Sequence, residues 1–250
     1  MLELTPLFFA LAIPGVIFAG ISKGGFGSGA SFAPTPLLAL ILEPEVALAL
    51  MLPLLMLIDV ASLPPYWRRW SSRDSRLLLI GGLPGVVVGA AVFSYADAAI
   101  LKALIGGLAL AFVGSQLLGN GLRPRSVRPY APHIGVVAGA VAGFATCVSH
   151  AGGPPAAVYL LSRGLDKTTY QATTVLVFWV LNIAKAAAYT TLGLLTLDTL
   201  WANMLLAPFA ILGTWIGVRA HHRLPERAFF IVTYVLLTVT GTKLVFDAIQ

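Results

Sequence analysis

Six uninterrupted apolar stretches of this sequence are each long enough to cross a membrane as an α-helix. A helix rises about 1.5 Å per residue and the core of a bilayer is about 30 Å thick, so one crossing needs about 20 apolar residues. Because the runs are continuous rather than alternating, they predict helices and not the strands of a membrane barrel. The predicted fold is therefore an all-α integral membrane protein. The stretches cover residues 46–66, 77–95, 98–118, 168–190, 199–217 and 228–247.

The scarcity of charge supports this fold class and excludes others. Charged residues make up 10% of the 250-residue chain, against roughly a quarter in soluble domains, which leaves too little polar surface for a soluble domain of this size. No run of Lys and Arg is long enough to predict a nucleic-acid partner. The single Cys147 excludes a disulfide framework and a multi-cysteine metal site. No enzyme motif and no cofactor motif is present, so neither catalysis nor a cofactor is expected.

Two further apolar regions are interrupted by glycine-rich segments. Residues 6–42 are broken at 22–29, and residues 134–162 are broken at 146–155. After each break only about 10 apolar residues remain, enough for about half of a bilayer. We predict that each region is a broken or re-entrant helical hairpin. If each region instead made two short full crossings, the loops that follow would lie on the same side of the membrane, and that alternative stays open.

The positions of the basic residues favour the hairpin over a single crossing. If each broken region enters and leaves on one face, 12 of the 16 basic residues share one side, in loops 67–76, 119–132, 163–167 and 218–227. If each region crosses once, these residues divide seven against five and the asymmetry is lost. Because basic loops remain in the cytoplasm, we predict a multi-pass protein of the cell inner (plasma) membrane with both termini outside.

The two broken regions also predict an internal repeat. At an offset of 119 residues Gly20 aligns with Gly139, and each region is followed by three spanning segments. Residues 1–120 then form a first transmembrane repeat, residues 121–132 a cytoplasmic linker, and residues 133–250 a second repeat. Since three crossings are an odd number, the second repeat is inverted. Inverted repeats with broken helices are typical of transporters that bind substrate near the midplane.

These paired segments resemble those of the sulfite exporter (TauE/SafE) family, whose halves each open with a glycine-rich stretch that leads to a proline and a short apolar helix. The stretches here are residues 20–27, leading to Pro36, and residues 139–143, leading to Pro155. The resemblance covers the whole chain in length, segment number and repeat placement. Members of the family move different small anions, among them sulfite and sulfonates such as sulfoacetate. The resemblance implies export of a small sulfur-containing anion without choosing the compound.

The two breaks supply the predicted substrate site. A broken helix leaves unpaired backbone groups, and the N–H groups that open the second half-helix attract anions. Lysines are costly inside a membrane and are therefore functional candidates, while neighbouring hydroxyl and imidazole groups add hydrogen-bond donors. The predicted substrate-binding residues are Lys23, Gly24, Gly25, Gly27, Ser28, Ser31, Ser149, His150, Gly152, Gly153 and Lys185.

Each of these residues also has a structural interpretation. The glycines could serve only close helix packing, Lys23 could cap carbonyl groups, and Lys185 could snorkel to the surface. His150 could hold a carbonyl group of its hairpin. Asp59 is the only acid well inside a spanning stretch. We predict that Asp59 and His150 relay protons, although Asp59 could instead form an ion pair with Lys23 or Lys185 that fixes packing.

The predicted function is export of the anion by alternating access at two facing hairpin tips. A passive anion channel of the same architecture and an intramembrane redox or enzymatic protein remain as alternatives. The expected partners are the anion, the lipid bilayer and, as an open alternative, a second copy of the chain. Glycines at a spacing of four are predicted to pack helices, and one such seam could serve the homodimer. They are Gly81, Gly85 and Gly89, then Gly135, Gly139 and Gly143, and finally Gly213 and Gly217.

Overall fold

The computed structural model describes residues 4–26, 30–118, 131–221 and 226–250, and every regular element in these ranges is a helix. Eight helices are long and apolar enough to cross a membrane, which confirms the predicted all-α membrane fold. A π-helical turn, Ser22–Phe26, extends the first of them. The α-helices are α1 (Pro6–Ile21), α2 (Pro34–Leu38), α3 (Pro44–Tyr66), α4 (Ser72–Tyr95), α5 (Ala98–Leu118), α6 (Pro132–Ser149), α7 (Gly153–Ser162), α8 (Lys167–Thr191), α9 (Leu197–Ala220) and α10 (Glu226–Ile249).

Several helices begin where side chains bind the free N–H groups of the first turn. The Thr5 hydroxyl accepts a hydrogen bond from the Phe8 N–H at 3.2 Å. The Asp166 carboxylate accepts from the N–H groups of Thr168 and Thr169 at 3.0 and 3.1 Å. Together with the bond from the Thr169 hydroxyl, which contributes most, these contacts lower the pKa of Asp166. The cap therefore keeps its charge, which suits the positive end of α8.

Both broken regions form hairpins whose two ends lie close together. Thr5, before α1, lines the same surface cavity as Glu43, before α3. Near the start of α6, a Cβ added at Gly135 would lie 2.7 Å from the ring of Tyr159, near the end of α7. The short second halves are as predicted, since α2 has 5 residues and α7 has 10. The predicted cytoplasmic linker, residues 121–132, lies almost wholly outside the described residues.

The first limb of the first hairpin passes through the full depth of the bundle. With its π-helical turn α1 has 21 residues, which corresponds to about 31 Å. Its last turn lies beside the ends of α3 and α9, where the Tyr66 hydroxyl donates to the Gly24 carbonyl at 2.7 Å. The first limb is therefore long enough for a full crossing, while the second limb contains only the 5-residue helix α2.

Helices of the two halves of the chain pack against each other in equivalent pairs. Helix α1 packs on α9, and α6, its counterpart in the second half, packs on α4. In the same way α3 contacts α9 while α8 contacts α4, and the pairs α3–α8 and α5–α10 each join counterparts. A two-fold axis relating the halves would produce this pattern. It supports the inverted repeat, which stays a prediction.

The glycine seams allow helices of the two halves to approach until their backbones are in contact. A Cβ added at Gly81 would lie 1.8 Å from the Val136 carbonyl oxygen, and one at Gly217 would lie 2.5 Å from the Ile21 carbonyl oxygen. Such contacts with backbone atoms are too close for any side chain, so the packing interpretation of the seams is confirmed. Because the seams are filled within one chain, the predicted homodimer would need another surface.

Gly81→Ala should destabilise the protein, because its methyl group forces α4 and α6 apart. Overpacking of this kind costs about 1–3 kcal/mol. Gly107→Ala is the matched control, since a Cβ at Gly107 in α5 meets nothing within 4 Å; it should be neutral or stabilising by up to about 1 kcal/mol. Thermal unfolding of both purified variants in one detergent measures the difference. Equal melting temperatures would contradict the role of the seam.

Candidate functional site

A connected set of buried polar side chains runs between α1, α3, α6 and α8. Each of its members is at most 5% exposed. They come from four separate elements, so only the folded bundle brings them together. Polar groups removed from water in this way need partners, because an unpaired one is costly. The set consists of Lys23, Asp59, Asn182, Lys185 and His150.

The first part of this set is an ion pair. The Lys23 Nζ lies 2.7 Å from the Asp59 Oδ1, and it also donates to the Leu55 carbonyl at 3.3 Å. The Asn182 amide donates to the other carboxylate oxygen of Asp59 at 2.7 Å. Of the two ion pairs that the sequence left open as alternatives for Asp59, the one with Lys23 is formed. Since both partners are buried, the charge of Lys23 is already matched within the protein.

The second part joins Lys185 to the second break. The Lys185 Nζ lies 2.6 Å from the His150 Nδ1 and 3.4 Å from the hydroxyl of Thr146 and from the side-chain oxygen of Asn182. The His150 Nε2 lies 3.0 Å from the Leu48 carbonyl oxygen. Because a carbonyl oxygen only accepts, Nε2 carries the hydrogen of this bond. His150 therefore holds a carbonyl group of α3 rather than one of its own hairpin, and it also faces Lys185.

Lys185 does not snorkel to the surface, so that interpretation is wrong. Its side chain is 0% exposed, because α8 lies among α3, α4 and α7 and this residue faces inward. Within the described part of the chain, no carboxylate lies within ion-pair distance of its Nζ. Lys23 has such a partner and Lys185 has none, which makes Lys185 the cation best suited to an external anion.

The backbone of His150 indicates a local requirement for this side chain. His150 ends α6 in the left-handed conformation, with φ 59°, which residues other than glycine seldom adopt. Glycine would form this helix end with less strain. The contacts with Lys185 and Leu48 therefore account for a histidine here. Backbone strain of this kind is found most often at functional sites.

The backbone carbonyl groups of the first break accept hydrogen bonds from side chains in or next to three helices. The carbonyl groups of Lys23, Gly24 and Gly25 accept hydrogen bonds at 2.5, 2.7 and 2.6 Å. The donors are Gln171 in α8, Tyr66 at the end of α3 and His221 after α9. These carbonyls lie in the last turn of the helical segment that ends at Phe26, where a helix has no further N–H groups of its own to bind them.

The two predicted glycines of this turn serve packing. A Cβ at Gly24 would lie 2.8 Å from the Thr214 carbonyl oxygen, and one at Gly25 would lie 2.4 Å from the Gly217 carbonyl oxygen. Both therefore allow α9 to approach. Ser31 is 5% exposed, in a turn before α2. Gly27 and Ser28 lie outside the described residues, so their predicted role is not tested.

The second break places the start of α7 beside Lys185. The Ser149 hydroxyl donates to the Ala145 carbonyl at 2.9 Å and accepts from the Ala151 N–H at 3.3 Å. A Cβ at Gly152 would lie 2.7 Å from the Cβ of Thr146, whose hydroxyl contacts Lys185. Gly153 opens α7 at this point. The positive end of this helix and a buried cation thus share one location.

Sequence reasoning missed the residues that hold the first break. Tyr66 lies at the end of a predicted spanning stretch, and it is 4% exposed and donates inward. Gln171 and His221 were not singled out, although each is at most 2% exposed. An amide four residues inside an apolar helix was the available signal for Gln171, because buried polar groups in membranes are usually functional or paired.

One end of the bundle has a surface cavity bordered by acidic residues, and an ion pair links two helices at the other end. A cavity of about 660 Å³ lies at the end that holds Thr5, and it is bordered by Glu43, Glu45 and Asp198. At the other end, the Arg163 Nε lies 3.0 Å from the Asp74 Oδ1, which joins the end of α7 to the start of α4. The Tyr159 hydroxyl donates to the same carboxylate oxygen at 2.9 Å.

Comparison with known proteins gives one match. A model of the family described as Sulfite exporter TauE/SafE matches residues 12–244. No match was found among curated proteins or among solved structures.

Proposed function

The chain belongs to the sulfite exporter TauE/SafE family, and we propose that it exports a small sulfur-containing anion, such as sulfite or an organosulfonate, that binds beside Lys185. Membership implies a membrane exporter of sulfite or a related sulfur compound. The compound, the site and the mechanism are our proposals. The predicted absence of catalysis is consistent with a transporter family.

One observation carries the proposed site. Lys185 is a fully buried lysine with no carboxylate partner among the described residues. A buried charge is costly unless it is paired, and an anion beside its Nζ would supply the missing charge. The Thr146 hydroxyl and the N–H groups of Gly152 and Gly153 at the start of α7 would give the remaining sulfonate or sulfite oxygens hydrogen-bond donors. The two prolines that follow Gly153 have no N–H to offer.

The predicted substrate-binding residues divide into two groups under this proposal. Lys185, His150, Ser149, Gly152 and Gly153 surround the second break and form the binding site. The remaining residues belong to the first break. We assign them a structural role rather than a binding role, since Lys23 is paired with Asp59. That second group consists of Lys23, Gly24, Gly25 and Ser31, while Gly27 and Ser28 lie outside the described residues.

Alternating access is the mechanism we propose for the movement. We propose that the anion passes through the cavity beside Thr5, whose lining does not include Lys185 or His150, so that helices between them would have to move. At the other end the Asp74–Arg163 ion pair joins α4 to α7. Opening the second end would require this ion pair to break. By the positive-inside rule the basic end faces the cytoplasm of the inner membrane and the termini lie outside. Asp59 and His150 remain our candidates for a proton relay.

Thermal unfolding of the purified protein tests the substrate class. A ligand that binds only the folded state raises stability, by about 2.7 kcal/mol at one hundred times its Kd. We expect sulfite or a sulfonate among sulfite, sulfate, thiosulfate, taurine and sulfoacetate to raise the melting temperature, with chloride at equal ionic strength as control. Stabilisation by none of the five would contradict the proposal.

Liposome flux then separates a transporter from a passive channel. A transporter exchanges labelled external anion for an unlabelled internal pool against a gradient. Steady flux that no gradient of a second solute can drive uphill would favour the channel.

A further inference from the structure

His150 and Lys185 share a hydrogen bond that limits the charge they can hold together. The Nε2 of His150 carries a hydrogen because it contacts the Leu48 carbonyl oxygen at 3.0 Å. The 2.6 Å contact between Nδ1 and the Lys185 Nζ needs one donor and one acceptor. An ammonium group donating to a neutral imidazole and an imidazolium donating to a neutral amine both satisfy it. The pair therefore holds one positive charge or none.

Among the described residues, the carboxylate that acts on this pair is Asp59, which Asn182 separates from Lys185. Asp59 in α3 lies 2.7 Å from the Lys23 Nζ, so these two charges cancel. From α6, Cys147 faces Lys185 with a buried thiol. On α8, the ring of Tyr189 lies 5.9 Å from the Lys185 Nζ, and its hydroxyl keeps its proton because it donates to the Cys147 carbonyl.

We propose that the His150–Lys185 pair takes up one proton with each substrate anion, so that anion and proton cross the membrane together. This inference rests on the proposed function, since it assumes that the anion binds beside Lys185. In the empty site a neutral amine faces a neutral imidazole. On binding, a proton from water forms the third N–H bond of the Lys185 ammonium group, which pairs with the anion. On release that bond breaks and the proton leaves with the anion.

The physical reason is the cost of an isolated buried charge. A cation without a partner is unfavourable in the bilayer interior, whereas a cation bound to an anion is far less so. Anion and proton therefore favour each other's binding, as linkage requires. The movement is electroneutral, so the membrane potential does not drive it. The anion gradient and the pH gradient set its direction, and an anion leaves the cell when its outward concentration gradient exceeds the inward proton gradient.

The same balance selects the substrate by charge. One ammonium group matches a monovalent anion, such as bisulfite or a simple monosulfonate. A dianion such as sulfate would bring an unmatched negative charge into the site. We therefore infer that the exported compound binds as a monoanion.

Calorimetric titration with methanesulfonate counts the protons. This sulfonate stays fully ionised near neutral pH, so any proton taken up is bound by the protein. Titrations in two mildly alkaline buffers that differ in ionisation enthalpy should give an uptake of about one proton per bound anion. Binding without proton uptake would overturn the inference and leave the proposed function standing. Failure of methanesulfonate, sulfite and sulfoacetate to bind at all would overturn the proposed function as well.

Lys185→Arg separates the charge from the exchangeable proton. Arginine stays charged at all relevant pH values, so this variant should still bind methanesulfonate while its proton uptake falls to about zero. Lys243→Arg is the matched control, because Lys243 is an exposed lysine on α10 that pairs with Asp247; it should retain the wild-type uptake. Uptake by Lys185→Arg equal to that of the wild type would overturn the inference. If this variant does not fold, the wild-type proton count decides alone.

Discussion

Replacing Asp59 by Asn should destabilise the protein by about 3–5 kcal/mol, the cost of leaving a buried charge without its partner. Lys23 is 2% exposed and lies 2.7 Å from the Asp59 carboxylate, so its ammonium group would lose its counter-charge without reaching water. Denaturation of the purified variant in a mixed-detergent titration measures the loss.

Asp247→Asn provides the matched control for this prediction. Asp247 forms an ion pair with Lys243 on the outer face of α10, where the Lys243 side chain is 57% exposed. An exposed pair contributes about 0–1 kcal/mol, so this variant should be almost as stable as the wild type. A loss in Asp59→Asn no larger than the loss in the control would show that Lys23 is not held by its partner.

The double variant Lys23→Met/Asp59→Leu should recover most of the lost stability. Removing both members of a buried ion pair is often nearly neutral. About 1–3 kcal/mol should remain lost, because the Asn182 amide no longer has its acceptor. If the role of Lys23 is structural, the double variant keeps its affinity for sulfonates. Loss of that affinity would instead return Lys23 to the binding site.

The fold was predictable because the bilayer leaves few choices. An apolar run of about 20 residues with no charge can satisfy its backbone only as a helix, and the glycine breaks marked α2 and α7 as short. The full passage of α1 was not predictable in the same way. Its last turn is stabilised by Gln171, Tyr66 and His221, which are distant in sequence from the carbonyl groups that they bind.

The candidate site was predictable by residue type but not by pairing. Lys23, Lys185, Asp59 and His150 were singled out because polar groups in spanning segments are costly. Sequence position gives the depth of a side chain but not the neighbour that it faces. For this reason the sequence left both lysines open as partners of Asp59, and it allowed Lys185 to reach the surface. The positions of α3, α4 and α7 around α8 settle both questions.

Replacing Lys185 by Gln should weaken the binding of methanesulfonate about 30-fold or more, because truncating one member of a buried charge pair costs at least about 2 kcal/mol. The stability of the empty protein should change in the opposite sense. Lys185 is 0% exposed and has no carboxylate partner among the described residues, so its removal takes away a destabilising group. Residues that serve binding at the cost of stability behave in this way.

Calorimetry and thermal unfolding of Lys185→Gln, with Lys243→Gln as the control on the outer face of α10, measure both quantities. The control should match the wild type in both. A structural lysine would give the reverse result, with binding retained and the melting temperature lowered, as we expect when Asp59 is replaced. The two buried lysines are therefore distinguished by the sign of the stability change. The charge of Lys23 is neutralised by Asp59, whereas Lys185 has no such partner among the described residues and, under our proposal, must give up its proton when the protein folds without an anion.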